Sequence, residues 1–370
     1  MTEEMPIPIL DLQPEIEELW VDLQAALEGV LRSGQFILGP NVRAFEKAFA
    51  GFLGVPEGVG VNSGTDALII GLRALDVGEG DEVITTPFTF FATAEAISIL
   101  GATPVFVDID PDTFNIDPDA LEAAITPRTR CILPVHLFGL PAAMDRIMQL
   151  AQEHDLVILE DCAQALGAEI SGKKVGTFGD AAAFSFFPSK NLGAFGDAGA
   201  IATSDPTVAQ RSRTLRAHGA EKKYHNEMLG YNSRLDEIQA AILRVKLPQL
   251  SRMNAGRRRA AAKYSERLHG VEGVVCPAVG EDVTHAFHQY TIRVLGGRRD
   301  QVAAALQRNG IATMVYYPVP VHKLPVYADV TGPLPVAERA ADEVLSLPLW
   351  PSIDDTTIDR VVAAVADALG

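Results

Sequence analysis

The segment Ala183-Phe184-Ser185-Phe186-Phe187-Pro188-Ser189-Lys190-Asn191-Leu192-Gly193 sets one lysine among phenylalanines, just after an apolar run the length of a buried strand. A lysine deprived of water gives up its proton more readily, and the free amine attacks carbonyls. A lone lysine is otherwise a solvated surface residue; Phe184, Phe186, Phe187 and Phe195 weigh against that for Lys190. A second segment, Leu156-Val157-Ile158-Leu159-Glu160-Asp161-Cys162-Ala163-Gln164, is an apolar run ending in two carboxylates. Asp161 falls at the ligand-facing end of that strand, with Gln164 expected one helical turn later. A buried carboxylate is costly unless it meets a cation, so Asp161 calls for a protonated ring nitrogen or a metal, or else caps a following helix. A third segment, Val61-Asn62-Ser63-Gly64-Thr65-Asp66-Ala67-Leu68, reads as strand, small turn and helix. The N–H groups of such a helix start receive a phosphate, although Ser63 or Thr65 as an ordinary N-cap accounts for the same residues. Phe88, in Thr86-Pro87-Phe88-Thr89-Phe90-Phe91-Ala92-Thr93, lies past another strand end and offers an aromatic face, or fills core.

An anion cradle, an acid for a pyridine nitrogen, a stacking aromatic and a carbonyl-reactive lysine are together what pyridoxal phosphate requires. The elements that must position them alternate from Val59 to Ser204. Strands are expected at Gly58 to Asn62, Glu82 to Thr86, Pro104 to Asp108, Cys131 to His136, Leu156 to Glu160, Ala182 to Phe186 and Ala200 to Thr203. Most are separated by enough chain for a crossover helix, which predicts an α/β fold with a mainly parallel sheet and ligands beyond its carboxyl ends. A long helical region from Leu235 through Leu268, interrupted at Pro248, leads out of this lobe. A smaller α+β lobe follows, with a strand at Gln289 to Val294, a helix at Gln301 to Arg308, a strand at Thr313 to Tyr317 and a last helix at Thr356 to Leu369. The expected division is a large lobe with an N-terminal arm at residues 1–248 and a small lobe at 249–370.

With 370 residues, two or three lobes can each bury a core. The net charge of −17 argues against general nucleic-acid binding, and the longest apolar stretches, such as Ala181 to Phe187, are far too short for a membrane span. Acids and prolines within Met1 to Trp20 do not suit a secretory signal, so a cytoplasmic protein is expected. Cys131, Cys162 and Cys276 are odd in number and widely spaced, which suits neither a disulfide framework nor a zinc cluster. Gly167-Ala168-Glu169-Ile170-Ser171-Gly172-Lys173-Lys174 fails as a phosphate-binding P-loop at its last position, where magnesium needs a hydroxyl. His285 and His288 form the tightest histidine pair but lack a nearby acid or cysteine to complete a metal site. No Gly-x-Ser-x-Gly elbow is present.

From Gly34-Gln35-Phe36-Ile37-Leu38-Gly39-Pro40 to Leu345-Ser346-Leu347-Pro348-Leu349, the chain resembles the sugar aminotransferases of the DegT/DnrJ/EryC1/StrS group, which have the aspartate-aminotransferase (type I) fold of pyridoxal phosphate enzymes. The resemblance implies Lys190 as the Schiff-base lysine and proton carrier, Asp161 on the pyridine nitrogen, Gln164 on the phenolic oxygen and Phe88 on the ring face. It implies Gly64, Thr65 and Ser185 on the phosphate, completed by Asn232 from a neighbouring subunit, and hence a homodimer with shared sites. Intact Lys190 argues against the dehydratase branch, which carries His there. Asn232-Ser233-Arg234-Leu235-Asp236, with Arg216-Ala217-His218-Gly219 and Lys223-Tyr224-His225 before it, looks most like members that aminate C3 of a nucleotide-linked 3-oxo sugar. Arg234 could grip a carboxylate or sit at a helix start as a surface residue. Tyr317 and His322, in Tyr316-Tyr317-Pro318-Val319-Pro320-Val321-His322, are similar to a segment lining the sugar and nucleotide pocket. Glutamate, leaving as 2-oxoglutarate, is the amino donor that the resemblance implies. Amination at C4, or a cofactor-binding regulatory or scaffold protein without turnover, are the rival readings.

Overall fold

Seven strands form the sheet on which the site is built, in the computed structural model that describes residues 5–222, 224–328, 330 and 332–370. In chain order they are β1 (Glu57–Val61), β2 (Glu82–Thr85), β3 (Thr103–Phe106), β4 (Thr129–Ile132), β5 (Val157–Asp161), β6 (Ala181–Ser185) and β7 (Gly199–Thr203). In space the order is β1-β7-β6-β5-β4-β2-β3. The pairs β6–β5, β5–β4, β4–β2 and β2–β3 are parallel, whereas β1–β7 and β7–β6 are antiparallel. The sheet is therefore mainly parallel, as expected, with a short antiparallel flank. Register puts Val61 opposite Gly199 and Gly199 opposite Ser185, so the turn after β1 and the end of β6 meet at one edge. Asp161, ending β5, pairs with Ala183 two residues before Ser185 and reaches that edge too.

The runs Ala181–Ser185 and Gly199–Thr203 are small and apolar because both faces of this sheet are covered. Ala182, Phe184 and Ala200 pack with Phe45 and Phe49 of α1 (Pro40–Leu53). Ala181, Ala183 and Ile201 face the other way, onto Leu68 and Leu72 of α2 (Gly64–Ala74). Such two-sided burial produces continuous apolar strands rather than alternating ones. Gly199 is required for close approach: a Cβ there would lie 2.3 Å from the Ser63 carbonyl oxygen. The turn that starts α2 could not otherwise sit against β7.

The helical stretch after the sheet comprises α3 (Glu237–Lys246) and α4 (Leu250–Leu268), joined by a short turn at Leu247–Gln249. Pro248 lies in that turn, where the missing donor of proline favours a break. A three-stranded antiparallel sheet follows, β8 (Val274–Val275), β9 (Tyr290–Val294) and β10 (Val344–Leu347), in that spatial order. It shares one apolar cluster with α4, α5 (Arg299–Arg308) and α6 (Asp355–Leu369). Ile7 belongs to the same cluster and its N–H donates to the Gly310 carbonyl at 2.8 Å, so the first described residues pack with the last ones.

Two local expectations are corrected. Thr313 to Tyr317 is not a strand: Met314 alone bridges to Ser346 at the open edge of β10, and Tyr316 and Tyr317 then turn into the active cavity. Pro318 and Pro320 follow immediately and cannot donate to a ladder. Gln164 is not on a helix, since Ala163 to Gly167 form turns. Gly167 to Lys174 contains a hairpin, Glu169–Ile170 against Lys173–Lys174, rather than a loop feeding a helix. Among the described residues no helix is long and apolar enough to cross a membrane.

Candidate active site

A cavity of about 630 Å³ opens at the sheet edge where β5 and β6 end and α2 begins. Gly64, Thr65, Asp161, Gln164, Ser185 and Lys190, drawn from three separate segments, all line it. Tyr317 enters from the segment that follows the Met314 bridge.

Lys190 is delivered by the turn after β6, its N–H bonded to the Phe187 carbonyl at 2.8 Å. Gly193 tightens this loop, because a Cβ there would lie 2.3 Å from the Pro188 carbonyl oxygen. The side chain is partly exposed along the cavity, but its ammonium is packed among protein atoms, and burial lowers its pKa to about 8 against the opposing charge of Asp161. A lysine so placed supplies free amine near neutral pH, the requirement for attack on a carbonyl. Its Nζ lies 3.5 Å from Nε2 of His288.

Asp161 is 5% exposed. One carboxylate oxygen accepts from the Ala163 N–H at 3.1 Å and the other from the Thr93 hydroxyl at 2.9 Å. Burial holds its pKa above the usual carboxylate range, even though these bonds and the Lys190 charge pull it down. The carboxylate is thus under-compensated, and a protonated ring nitrogen is the kind of cation that would complete it. Gln164 spans the floor: its Oε1 accepts from the Phe138 N–H at 2.7 Å and its Nε2 donates to the Tyr317 hydroxyl oxygen at 3.0 Å.

Ser63 caps α2, its Oγ accepting from the Asp66 N–H at 3.1 Å, so the capping role is real. It also leaves the first-turn N–H groups of Gly64 and Thr65 at the cavity wall, where a helix start favours an anion. Ser185 packs directly on Gly64: a Cβ there would come within 2.6 Å of the serine Cβ. Helix start and hydroxyl therefore lie side by side on one wall of the cavity.

The cavity is lined by a different aromatic from the one expected. Phe88 is fully buried, with its ring edge-to-face to Phe138 and Tyr317 at 6.4 and 6.3 Å, and does not line the cavity. Phe90, two residues on and 59% exposed, does. His322 does not line the cavity either; it is buried, with Nε2 3.2 Å from Glu338 Oε1. Asn232 and Arg234 lie outside this chain's own cavity, on a loop where Asn232 is exposed and its Oδ1 accepts from Arg234 Nη2 at 2.6 Å. Lys223 lies outside the described residues.

Sequence reasoning missed Phe90, Thr93 and His288. Thr93 lies in the first turn of the Ala92–Ile99 helix, and its hydroxyl meets that of Thr89, in the loop before it, at 2.9 Å. His288 was visible only as half of a histidine pair. One cluster with metal-ligand chemistry exists among the described residues: His136, Glu160 and Cys162, all buried. Two of its three members are already engaged: Glu160 accepts from His136 and from the N–H groups of Gly176, Phe178 and Gly179, and His136 Nδ1 accepts from the Ala142 N–H.

The sequence pattern of the DegT/DnrJ/EryC1/StrS aminotransferase family matches residues 18–366. A pleiotropic regulatory protein from Geobacillus stearothermophilus is 50% identical over 368 residues, 98% of each chain. A UDP-N-acetyl-3-dehydro-alpha-D-glucosamine 3-aminotransferase from Acidithiobacillus ferrooxidans is 49% identical over 370 residues, the whole of both chains. Among solved structures, S. venezuelae DesV in complex with a ketimine intermediate superposes with a TM-score of 0.96 at 46% identity, covering 99% of each chain. The ntda protein of Bacillus subtilis, solved with bound cofactor PMP, gives 0.93 at 36% identity over 99% of this chain and 86% of that one. With the lysine, the acid and the anion cradle converging in one cavity, the chain belongs to the DegT/DnrJ/EryC1/StrS aminotransferase family.

Proposed function

We propose that this protein moves an amino group from glutamate to C3 of a nucleotide-linked 3-oxo sugar, with pyridoxal phosphate as cofactor. The observation that carries the chemistry is the Lys190 ammonium set beside Asp161 in a cavity walled by the start of α2. The choice of C3 is supported by the full-length similarity to the A. ferrooxidans 3-aminotransferase.

The residues fit the cofactor. The Gly64 and Thr65 N–H groups and the Ser185 hydroxyl would hold the phosphate, Asp161 the ring nitrogen, Gln164 the phenolic oxygen, and Phe90 rather than Phe88 would face the ring. When bound, pyridoxal phosphate supplies a carbon that takes up and releases an amino group and a ring that accepts an electron pair. Lys190 would form the covalent link and would carry a proton on Nζ between the substrate carbon and the cofactor, its lowered pKa suiting both directions of transfer near neutrality. Asp161 would keep the ring nitrogen charged. The two substrates take turns at one lysine, so ping-pong kinetics follow.

We further assign Asn232 and Arg234 to the cavity of a second copy, making the active form a homodimer; the exposure of Asn232, with the half-buried Arg234 beside it outside this chain's own cavity, supports that reading. Tyr317 is placed on the sugar side. The lobe division is set near residue 248, with the segment around Ile7 belonging to the second lobe. A cytoplasmic location suits a biosynthetic enzyme of this substrate class.

The test is an absorbance spectrum of the purified protein, before and after borohydride and then glutamate, with peptide mapping and with 3-oxo and 4-oxo nucleotide sugars as acceptors. A near-visible band that reduces onto Lys190, bleaches with glutamate and returns only with the 3-oxo acceptor is expected. Return with the 4-oxo sugar alone moves the chemistry to C4. Absence of any band at saturating cofactor leaves the regulatory or scaffold reading.

A further inference from the structure

His288 is 6% exposed, precedes β9 and lines the cavity opposite the sheet edge. Its backbone is fixed from two sides. The N–H donates to the Phe138 carbonyl at 2.9 Å, and the carbonyl accepts from Arg257 at 3.4 Å. The imidazole is therefore placed by the fold. Its two nitrogens meet different surroundings: Nε2 lies 3.5 Å from Lys190 Nζ, whereas Nδ1 is buried with no hydrogen-bond partner. A buried nitrogen without a partner is costly, and features of that kind concentrate at functional sites. Burial, followed by the positive charges of Lys190 and Arg257, holds the His288 pKa well below its usual value, so the ring stays neutral. A neutral imidazole beside an ammonium offers it a lone pair, which places the ring proton on Nδ1.

We propose that His288 is a positioning residue for Lys190, its Nε2 accepting a hydrogen bond from the lysine ammonium whenever that amine is not joined to the cofactor. The proposal rests on the reading of Lys190 as the cofactor lysine. The groups around Lys190 divide the work. Asp161 attracts its charge from β5, and the Tyr316 and Tyr317 hydroxyls and the Asp197 carboxylate line the same cavity. His288 brings a nitrogen within hydrogen-bond reach of Nζ, at 3.5 Å. Burial, with the charges of Lys190 and Arg257 behind it, keeps His288 from protonating. Because an acceptor favours the charged form, His288 holds the Lys190 pKa higher than burial alone would leave it, and it holds Nζ over the cavity while the amine carries a proton.

The test compares His288→Leu, which removes the acceptor, with His288→Gln, whose amide oxygen reaches the position of Nε2. The first readout uses the full-length protein freed of cofactor. Lys190 is methylated with formaldehyde and cyanoborohydride from pH 6 to 10, and its modification midpoint is read by peptide mass spectrometry. His288→Leu is expected to lower the midpoint by about one pH unit, and His288→Gln to restore most of that shift. With cofactor bound, His288→Leu is expected to lower kcat about tenfold with the glutamate KM unmoved, as befits lost placement rather than lost binding. If the leucine variant does not fold, His288→Asn, too short to reach Nζ, takes its place against His288→Gln. Equal midpoints in all variants, or a glutamine variant as shifted as the leucine one, overturn the proposal. Borohydride reduction of the loaded wild-type protein separates the two readings: an adduct away from Lys190 brings down the underlying assignment, whereas an adduct on Lys190 with unshifted midpoints brings down only the role of His288.

Discussion

Glu160 and Asp161 are neighbours on one strand, both buried, and the protein treats them in opposite ways. Glu160 points away from the cavity and accepts four hydrogen bonds: from His136 at 3.0 Å and from the N–H groups of Gly176, Phe178 and Gly179 at 2.8, 2.7 and 2.8 Å. Burial pushes its pKa up, but these donors overcome that and hold it below the usual glutamate value. His136 accepts in turn from the Ala142 N–H at 2.9 Å, so its proton sits on the nitrogen facing Glu160. Asp161 has two donors, Ala163 and Thr93, and its pKa is raised. The alternation of a strand sends one carboxylate into a closed structural network and the next into an open one. What sets Asp161 apart from Glu160 is the capacity left unfilled, since burial is common to both.

The largest effect expected from breaking this contrast is on Asp161. Asp161→Asn keeps the shape but cannot hold a protonated ring nitrogen, and amino transfer should fall about a thousandfold, close to 4 kcal/mol in the barrier. The same variant should be more stable than wild type when freed of cofactor at pH 7. A raised folded-state pKa means that Asp161 contributes stability below its ordinary value and loses it as pH rises through the raised one. Urea unfolding should therefore show a gain at neutral pH that vanishes in acid. Glu160→Gln should behave in reverse, costing about 3 kcal/mol of stability because N–H groups lose their acceptor. Its folded-state pKa is depressed, so that cost should be full above the usual glutamate value and shrink as pH falls through the depressed one. A glutamine variant as stable as wild type at pH 7 would show the network to be dispensable.

The same contrast explains what the sequence could reveal. The end of an apolar run marks where β5 stops, and strand period places Asp161 at the ligand-facing edge. The turn into α2 and the lysine after β6 are legible for the same reason, as local patterns attached to regular elements. Phe88 and Phe90 are not, because Thr86 to Phe91 belong to neither strand nor helix and no period says which ring faces the cavity. Tertiary packing decides it by filling the space around Phe88 with Phe114, Phe138 and Tyr317. His288 is harder still, since its partner Lys190 lies 98 residues away. The strand Val344–Leu347 is not anticipated from the sequence, and the run from Thr313, which has strand composition, forms one bridge at the edge of that strand. Asn232 and Arg234 carry meaning only if a second chain brings them to a cavity, which no periodicity in one chain can display.

Thr93 supplies the smallest and most diagnostic change. Its hydroxyl is one of the two donors that Asp161 possesses, and it also meets the Thr89 hydroxyl of the preceding loop, so the carboxylate is held through a short chain of hydroxyls. Thr93→Val preserves the volume of a side chain that is 1% exposed and removes only the donor. The Asp161 pKa should rise further, and amino transfer should fall about tenfold, or 1.4 kcal/mol, in keeping with one hydrogen bond to a charged group. If that loss acts through the carboxylate, combining Thr93→Val with Asp161→Asn should cost little more than Asp161→Asn alone, because residues in one network are not additive. A double variant whose losses simply multiply would place Thr93 in the packing of α2's neighbour, the Ala92–Ile99 helix, and leave Ala163 as the donor that orients Asp161.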